Sequence, residues 1–122
     1  MTAGRILIVE DTEDNRQIMR DLLANAGFEI VEAHDGEAAV TAAAAYRPDL
    51  IMMDIQLPVL DGYEAIRRIK ADPSLNSIPI IAVTSYALSG DEEKARGAGC
   101  DGYIAKPFSP RQLLASVLEL LS

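Results

Sequence analysis

The stretch "ILIVEDTED", Ile6 to Asp14, joins a short apolar run directly to a cluster of acidic residues. An uninterrupted run of Ile, Leu and Val predicts a strand that is covered on both faces of a sheet. Glu10 and Asp11 follow at the point where that strand must end. Neighbouring like charges repel each other, so the reason for placing them here has to be found in the rest of the chain.

Short apolar runs alternate with amphipathic segments along the whole sequence. The apolar runs predict strands at Arg5–Val9, Glu29–Ala33, Leu50–Met53, Ile80–Val83 and Tyr103–Ala105. The amphipathic segments predict helices at Glu13–Ala26, Glu37–Tyr46, Tyr63–Ala71, Gly90–Ala98 and Pro110–Leu121. Five strand–helix units predict a doubly wound α/β fold, a three-layer sandwich with a five-stranded parallel sheet between two layers of helices. We expect residues 1–122 to form a single domain.

Local signals mark several helix ends. Glycines at positions 27 and 99 stand where the C-terminal caps of two helices are expected. Pairs of capping residues predict three helix starts: Asp61 with Glu64, Ser89 with Glu92, and Ser109 with Gln112.

Composition narrows the classes of function. The 122 residues carry a net charge of −8, which disfavours direct binding to nucleic acid. No apolar run is long enough to span a bilayer, and no secretory signal precedes the first strand. The single cysteine, Cys100, excludes an internal disulfide and is compatible with a cytoplasmic protein.

Polar side chains follow four of the predicted strands. Glu10 and Asp11 follow the first strand, Asp54 the third, Thr84 the fourth and Lys106 the fifth. In open parallel sheets, ligands bind beyond the carboxyl ends of the strands, near the point where the strand order reverses. Three carboxylates and one ammonium group leave a charge of about −2 that a divalent cation would neutralise. Hard oxygen ligands favour Mg²⁺, and Mn²⁺ would also fit.

The same set of groups suits phosphoryl chemistry. A carboxylate can attack an activated phosphorus, and a cation beside it screens the approach of two anions. A lysine and a hydroxyl group would hold the other phosphoryl oxygens. Phosphoryl transfer depends mainly on positioning and charge stabilisation, so little further machinery is needed.

Four segments of the chain together resemble a known family. They are "LIVED", "DLIMMDIQLPVLDGYE", "IIAVTS" and "GYIAKPF", and each one stands at a strand end. In this order and at ordinary spacing they resemble the receiver domain of two-component response regulators, which has the CheY-like, flavodoxin-like fold. The resemblance covers essentially the whole chain.

The resemblance implies roles for the acidic residues. Asp54 would be the phosphoacceptor, and Asp11 a direct metal ligand supported by Glu10. Gln56 would offer its backbone carbonyl to the metal. Many members have two aspartates after the first strand, and Glu10 is a variant of that pattern.

The resemblance also implies a switch. Thr84 and Lys106 would bind the phosphoryl oxygens, and Tyr103 would rotate into the space that Thr84 vacates. The bond between Lys106 and Pro107 would be cis. The side chains of Gln56 and Tyr86 would influence how fast the phosphoryl group is lost.

The partners implied are a histidine kinase or a histidine phosphotransfer protein as phosphodonor, and a downstream target protein. The donor would dock on an exposed patch beside the acidic site, although Ile18 could equally pack in the core. The patch consists of Asp14, Asn15, Ile18, Pro107 and Phe108. The protein would be a monomer or a phosphorylation-dependent dimer. Because the chain ends after its last predicted helix, we expect a stand-alone regulator without an attached output domain.

Other functions fit the sequence less well. A small Mg²⁺-dependent phosphatase with an aspartyl nucleophile would carry a D-x-D arrangement after its first strand and a cap over its substrate. A flavin-binding electron carrier would have a hydroxyl-rich loop where this chain has acids. An unphosphorylated interaction module of the same fold remains the main alternative. Beyond self-phosphorylation and autodephosphorylation, we expect no enzymatic activity.

Two further residues are interpreted as structural. His34, after a predicted edge strand, is expected to face solvent and not to donate protons to the site. Cys100 has no partner histidine in the sequence pattern and is expected to be a buried structural residue.

Overall fold

The computed structural model describes residues 3–85 and 90–121. Within that part of the chain the strands are β1 (Arg5–Val9), β2 (Glu29–Ala33), β3 (Leu50–Asp54), β4 (Ile80–Thr84) and β5 (Gly102–Ala105). The helices are α1 (Glu13–Asn25), α2 (Gly36–Tyr46), α3 (Gly62–Ala71), α4 (Asp91–Ala98) and α5 (Pro110–Leu121). The predicted elements are all present. Asp54 and Thr84 were predicted to follow their strands and are instead the last strand residues.

The strands pair in the order β2-β1-β3-β4-β5, and every pair is parallel. The chain passes from β1 to β2 at the edge and then crosses back over β1 to β3. The strand order therefore reverses between β1 and β3, and the predicted doubly wound fold is confirmed. This reversal leaves a crevice beyond the carboxyl ends of β1 and β3, which is where Glu10, Asp11 and Asp54 occur.

Alternation along the strands gives the sheet two apolar faces. Successive strand residues point to opposite faces, so Leu7 and Val9 join one core and Ile6 and Ile8 join the other. The first core is covered by α2, α3 and α4, and the second by α1 and α5. None of the five helices in the described part of the chain combines the length and the apolar character that a membrane span requires.

The local cap signals are found at several helix ends. Asp61 Oδ1 accepts the backbone N–H of Glu64 at 3.0 Å, and Ser109 Oγ accepts that of Gln112 at 3.0 Å. Ser89 lies outside the described residues, and the residue that precedes α4 is Gly90.

The start of α3 is pressed against the end of β3. A Cβ atom on Gly62 would lie 2.4 Å from the carbonyl oxygen of Asp54 and 2.6 Å from the Cα of Ile55. The backbone N–H of Gly62 also donates to the carbonyl of Ile55 at 3.0 Å. Only a residue without a side chain allows this approach, so the loop that follows Asp54 can take this path only with glycine at position 62.

We expect Gly62→Ala to lower the free energy of unfolding by about 1–3 kcal/mol, because the added methyl group overpacks the β3–α3 junction. Gly97→Ala is the matched control. A Cβ at Gly97 meets no heavy atom within 4 Å, and alanine is favoured over glycine inside a helix by about 1 kcal/mol. Urea denaturation of both variants should give changes of opposite sign. A loss of stability in both would contradict this account of Gly62.

Candidate functional site

Four polar or charged side chains are buried among the described residues: Glu10, Arg16, Asp54 and Thr84. Three of these were predicted to form the site, and they stand at the carboxyl ends of β1, β3 and β4. Burying a charge is costly unless it is paired, hydrogen-bonded or bound to a metal. The carboxyl edge of the sheet therefore buries polar and charged groups that the packing of the apolar core does not explain.

The three predicted acidic residues converge. One carboxylate oxygen from each of Glu10, Asp11 and Asp54 lies within 4.8 Å of the others. Glu10 is 1% exposed and Asp54 is 4% exposed, whereas Asp11 is exposed to solvent. Oxygen ligands that are open to water on one side fit a hard divalent cation, which keeps several waters when bound. The donor set therefore suits the predicted Mg²⁺ or Mn²⁺.

Lys106 is the cation of the cluster. Its Nζ donates to Glu10 Oε1 at 2.6 Å and to Asp54 Oδ2 at 3.2 Å. Burial lowers the pKa of Lys106, but the hydrogen bond to Glu10 and the charge of Asp54 outweigh it, so the pKa is raised. Lys106 is therefore charged at neutral pH, and it offsets one of the three carboxylate charges.

Asp54 stands at the centre of the contacts. Its Oδ1 accepts the backbone N–H of Gln56 at 2.9 Å, and its Oδ2 accepts the lysine ammonium. The carboxylate lines a cleft of about 210 Å³. The other residues that line the cleft are Glu10, Asp11, Thr12, Asn15, Gln56, Ser85 and Lys106. A small tetrahedral group could reach Asp54 through it.

The side chain of Gln56 joins two loops across this cleft. Its Nε2 donates to Thr84 Oγ1 at 3.1 Å, and its Oε1 accepts the backbone N–H of Ser85 at 3.2 Å. From the resemblance we expect the backbone carbonyl of Gln56 to bind the metal and its side chain to influence the lifetime of the phosphoryl group. The resemblance did not indicate this amide contact with Thr84. A glutamine rotamer cannot be read from sequence, so no signal could have found it.

Tyr103 is half-buried and hydrogen-bonded away from the cleft. Its hydroxyl donates to Asp91 Oδ2, and the hydroxyl of Tyr63 donates to Asp91 Oδ1. These bonds connect α3, the start of α4 and β5 through one carboxylate. Burial and the hydrogen bond to Asp91 raise the pKa of Tyr63 to about 12, and the pKa of Tyr103 is raised by the same causes. Sequence reasoning found neither Tyr63 nor Asp91.

The predicted partner surface lies beside the cleft. A groove of about 390 Å³ is lined by Asn15, Ile18, Met19, Ser85, Lys106, Pro107 and Phe108. Ile18 is 61% exposed, so it belongs to this surface and not to the core, while Asp14 is exposed on the same helix. The Lys106–Pro107 peptide bond is cis.

The other residues singled out from the sequence are His34, Cys100 and Tyr86. His34 is exposed. Cys100 is buried, and this burial raises the pKa of its thiol, which fits a structural residue. Tyr86 lies outside the described residues.

Comparison with known proteins identifies the class. The profile of the response regulator receiver domain matches residues 6–118. The chain is 43% identical over 116 residues to the polar-differentiation response regulator DivK of Brucella anthropi, a match that covers 95% of this chain and 94% of DivK. The chain therefore belongs to the response regulator receiver family, and it is a response regulator of phosphorelay signalling.

Solved structures agree with this assignment. The receiver domain of the sensor histidine kinase PA1611 from Pseudomonas aeruginosa PAO1 is 40% identical, with a TM-score of 0.91 over 97% of each chain. That structure has a magnesium ion coordinated in its active site cleft. The chemotaxis protein CheY4 of Vibrio cholerae is 29% identical, with a TM-score of 0.91 over 97% of this chain and 98% of CheY4.

We expect Gln56→Met to speed amide hydrogen exchange at Ser85, because methionine keeps the length of the side chain but removes the acceptor. One lost hydrogen bond corresponds to roughly a two- to tenfold faster rate. NMR-detected exchange of the purified protein measures it. The amide of Lys106, which donates to the main-chain carbonyl of Thr84 at 2.7 Å, is the internal control and should keep its rate. An unchanged rate at Ser85 would exclude the contact.

The burial of Tyr63 and its hydrogen bond to Asp91 predict that the stability of the fold depends on pH. The pKa of Tyr63 is raised from 10.0 to about 12, so the phenol holds its proton more tightly in the folded chain than in the unfolded one. Its contribution to stability is fully present below about pH 10 and is lost as the pH rises towards about 12. Tyr63→Phe should therefore flatten the fall in free energy of unfolding over that range, as measured by urea denaturation at several pH values. Equal slopes for the variant and the wild type would refute the shift.

Proposed function

We propose that residues 1–122 form one receiver domain in which Asp54 accepts a phosphoryl group from a histidine kinase or a histidine phosphotransfer protein. The observation that carries this proposal is the position of the Asp54 carboxylate. It is 4% exposed, opens on the cleft and lies 3.2 Å from the Lys106 ammonium. Its strand, β3, lies between β1, which the two other acids follow, and β4, which ends in the Thr84 hydroxyl. Glu10 also contacts Lys106, but it is the less exposed of the two buried carboxylates, at 1%, and the more closely paired with the lysine, at 2.6 Å against 3.2 Å for Asp54.

The transfer is a displacement at phosphorus. An oxygen of Asp54 forms a bond to the phosphorus of a phosphohistidine, and the P–N bond breaks. Its electron pair passes to the imidazole nitrogen, which takes a proton from solvent. The product is an acyl phosphate, and attack by water later returns the carboxylate and inorganic phosphate. In this reaction the protein itself receives the phosphoryl group, so it would act as a phosphoacceptor and not as an enzyme that modifies other molecules.

The acidic cluster would hold Mg²⁺, or Mn²⁺ in its place, through Asp11 and Asp54, with support from Glu10 and the backbone carbonyl of Gln56. When bound, the ion screens the repulsion between the carboxylates and the incoming phosphoryl group. Lys106 already contacts Asp54, so its ammonium would pair with a phosphoryl oxygen once Asp54 is phosphorylated.

The switch would begin at Thr84. Its hydroxyl accepts a hydrogen bond from Gln56 Nε2 at 3.1 Å, and to bond a phosphoryl oxygen it would donate its own proton to that oxygen. Movement of Thr84 vacates space for Tyr103, which must then exchange its bond to Asp91 at the start of α4. A change from mostly inactive to mostly active requires roughly 5 kcal/mol of differential stabilisation. The side chains of Gln56 and Tyr86 would set the phosphoryl lifetime by the access they allow to water.

The groove beside the cleft is the proposed docking surface for the phosphodonor. Ile18 and Phe108 give it an apolar character, and Asp14 and Asn15 add polar groups on the same side of α1. The active protein would then bind a downstream target protein as a monomer or as a phosphorylation-dependent dimer. We place this exchange in the cytoplasm, where a chain with one buried cysteine needs no oxidising environment.

The decisive experiment is phosphorylation of the purified protein by acetyl phosphate with Mg²⁺, followed by intact mass spectrometry. We expect the wild type to gain one phosphoryl group and Asp54→Asn to gain none, because the amide is not a nucleophile towards phosphorus. Asp21→Asn, which changes an exposed acid on α1, is the matched control and should react like the wild type. Chelation of the metal should abolish the uptake.

Two outcomes would count against the proposal. Uptake by Asp54→Asn at the wild-type level would refute the acceptor assignment. No uptake by the wild type, either from acetyl phosphate or from a phosphorylated histidine phosphotransfer protein, would favour the unphosphorylated interaction module.

A further inference from the structure

Arg16 is the one buried polar or charged side chain in residues 3–85 and 90–121 to which the proposed function gives no role. It lies in the first half of α1 and is 6% exposed. Removing a guanidinium group from water is costly unless its charge and its N–H groups are satisfied. A buried Arg16 is therefore tolerated only if its charge and its N–H groups are paired with other parts of the chain.

The guanidinium group of Arg16 contacts three separate parts of the chain. Its Nη1 donates to the backbone carbonyl of Glu10 at 2.8 Å, and its Nη2 donates to the carboxylate of Glu13. Its Nε lies 3.3 Å from Glu32 Oε1 in β2, without forming a hydrogen bond. Arg16 thus connects the acidic loop, α1 and β2, and the contact with the loop is made through main chain.

The carbonyl of Glu10 belongs to the peptide bond between Glu10 and Asp11. That bond is planar, so holding its oxygen fixes the plane from which both acidic side chains leave the backbone. On the other side of Glu10, the backbone N–H is held by the carbonyl of Ala33 at 3.2 Å. Beyond the end of β1, Arg16 therefore takes the place of a neighbouring strand as the donor to this carbonyl.

We propose that Arg16 is a positioning residue for the acidic cluster: it fixes the Glu10–Asp11 peptide plane so that both carboxylates converge with Asp54. This inference rests on the proposed function for the identity of the ion, but the contact with the loop exists without it. Ligand groups held by surrounding hydrogen bonds lose roughly 10- to 100-fold in metal affinity when that support is removed.

Positioning and simple electrostatics predict opposite effects. Arg16 is a positive charge near a cation site, so on charge alone its removal should strengthen Mg²⁺ binding. If its main effect is to hold the loop, its removal should weaken binding. The direction in which the Mg²⁺ dissociation constant changes therefore distinguishes a positioning role of Arg16 from a purely electrostatic one.

Arg20 provides a matched control. It lies one turn further along α1, and its Nη1 donates to Glu32 Oε1 at 2.9 Å while its Nη2 lies 3.5 Å from Glu13 Oε1. It pairs with the same two acids as Arg16 and carries the same charge, but the hydrogen bond to the Glu10 carbonyl is made by Arg16. Arg20→Met thus removes an equal charge from the same ion-pair network.

The experiment is isothermal titration of the full chain with MgCl₂, at a temperature where circular dichroism shows each variant to be folded. We expect Arg16→Met to raise the dissociation constant about tenfold, and Arg20→Met to leave it unchanged or to lower it slightly. Asp11→Asn should abolish binding, which identifies the titrated site. An Arg16→Met dissociation constant at or below that of Arg20→Met would overturn the inference.

If Arg16→Met does not fold, the comparison of Arg16→Lys with Arg20→Lys takes its place. A lysine keeps the charge, but one ammonium group cannot reach the carbonyl and both carboxylates together. We expect a raised dissociation constant in Arg16→Lys only, and equal values in the two variants would overturn the inference.

A second measurement needs no metal, so it distinguishes failure of this inference from failure of the proposed function. The backbone order parameter of the Asp11 amide, measured by ¹⁵N relaxation in the absence of Mg²⁺, should fall in Arg16→Met and stay at the wild-type value in Arg20→Met. An unchanged order parameter in Arg16→Met would overturn the positioning role. If that order parameter falls but the wild type does not bind Mg²⁺, positioning of the loop holds and the proposed metal site fails.

Discussion

The convergence of buried carboxylates around one lysine is the constraint on which the functional edge of this protein depends. Glu10 and Asp54 both contact Lys106 Nζ, at 2.6 and 3.2 Å, and both are almost completely shielded from water. In a medium less polar than water, charges at this separation interact several-fold more strongly. One ammonium group cannot neutralise three carboxylates, and this excess of negative charge is what the proposed divalent cation would balance.

The apolar sheet makes this arrangement tolerable. Two cores, one on each face, cover the three central strands β1, β3 and β4, whose residues are all buried except Arg5. The burial of these strands offsets the cost of holding charges at the sheet edge. The polar contacts then extend outward from the edge in two directions. Gln56 links Asp54's loop to Thr84, and Asp91 links Tyr103 to α4. In the proposed switch, movement of Thr84 would act on Tyr103, and the bond from Tyr103 to Asp91 would carry the change to α4.

Most of the fold and the core of the site could be predicted from the sequence, because both follow from local patterns. Apolar runs without polar alternation located the strands, and the residues directly after those runs had to lie at one edge of a parallel sheet. That reasoning found Glu10, Asp11, Asp54, Thr84 and Lys106. It missed Arg16, Tyr63 and Asp91, since each lies in a helix and makes its contacts through a side chain whose direction depends on how the helix packs. The exposure of Ile18 was undecided for the same reason.

The sequence by itself determined the order of the elements, the faces they bury and the chemical groups that follow each strand, because these depend on the period of the pattern and on backbone geometry. The tertiary structure alone decided which groups touch. Lys106 meets Glu10 across 96 positions and Asp54 across 52, and Gln56 meets Thr84 across 28. Contacts over such separations depend on how whole layers pack and on which rotamers that packing allows. No local pattern contains that information.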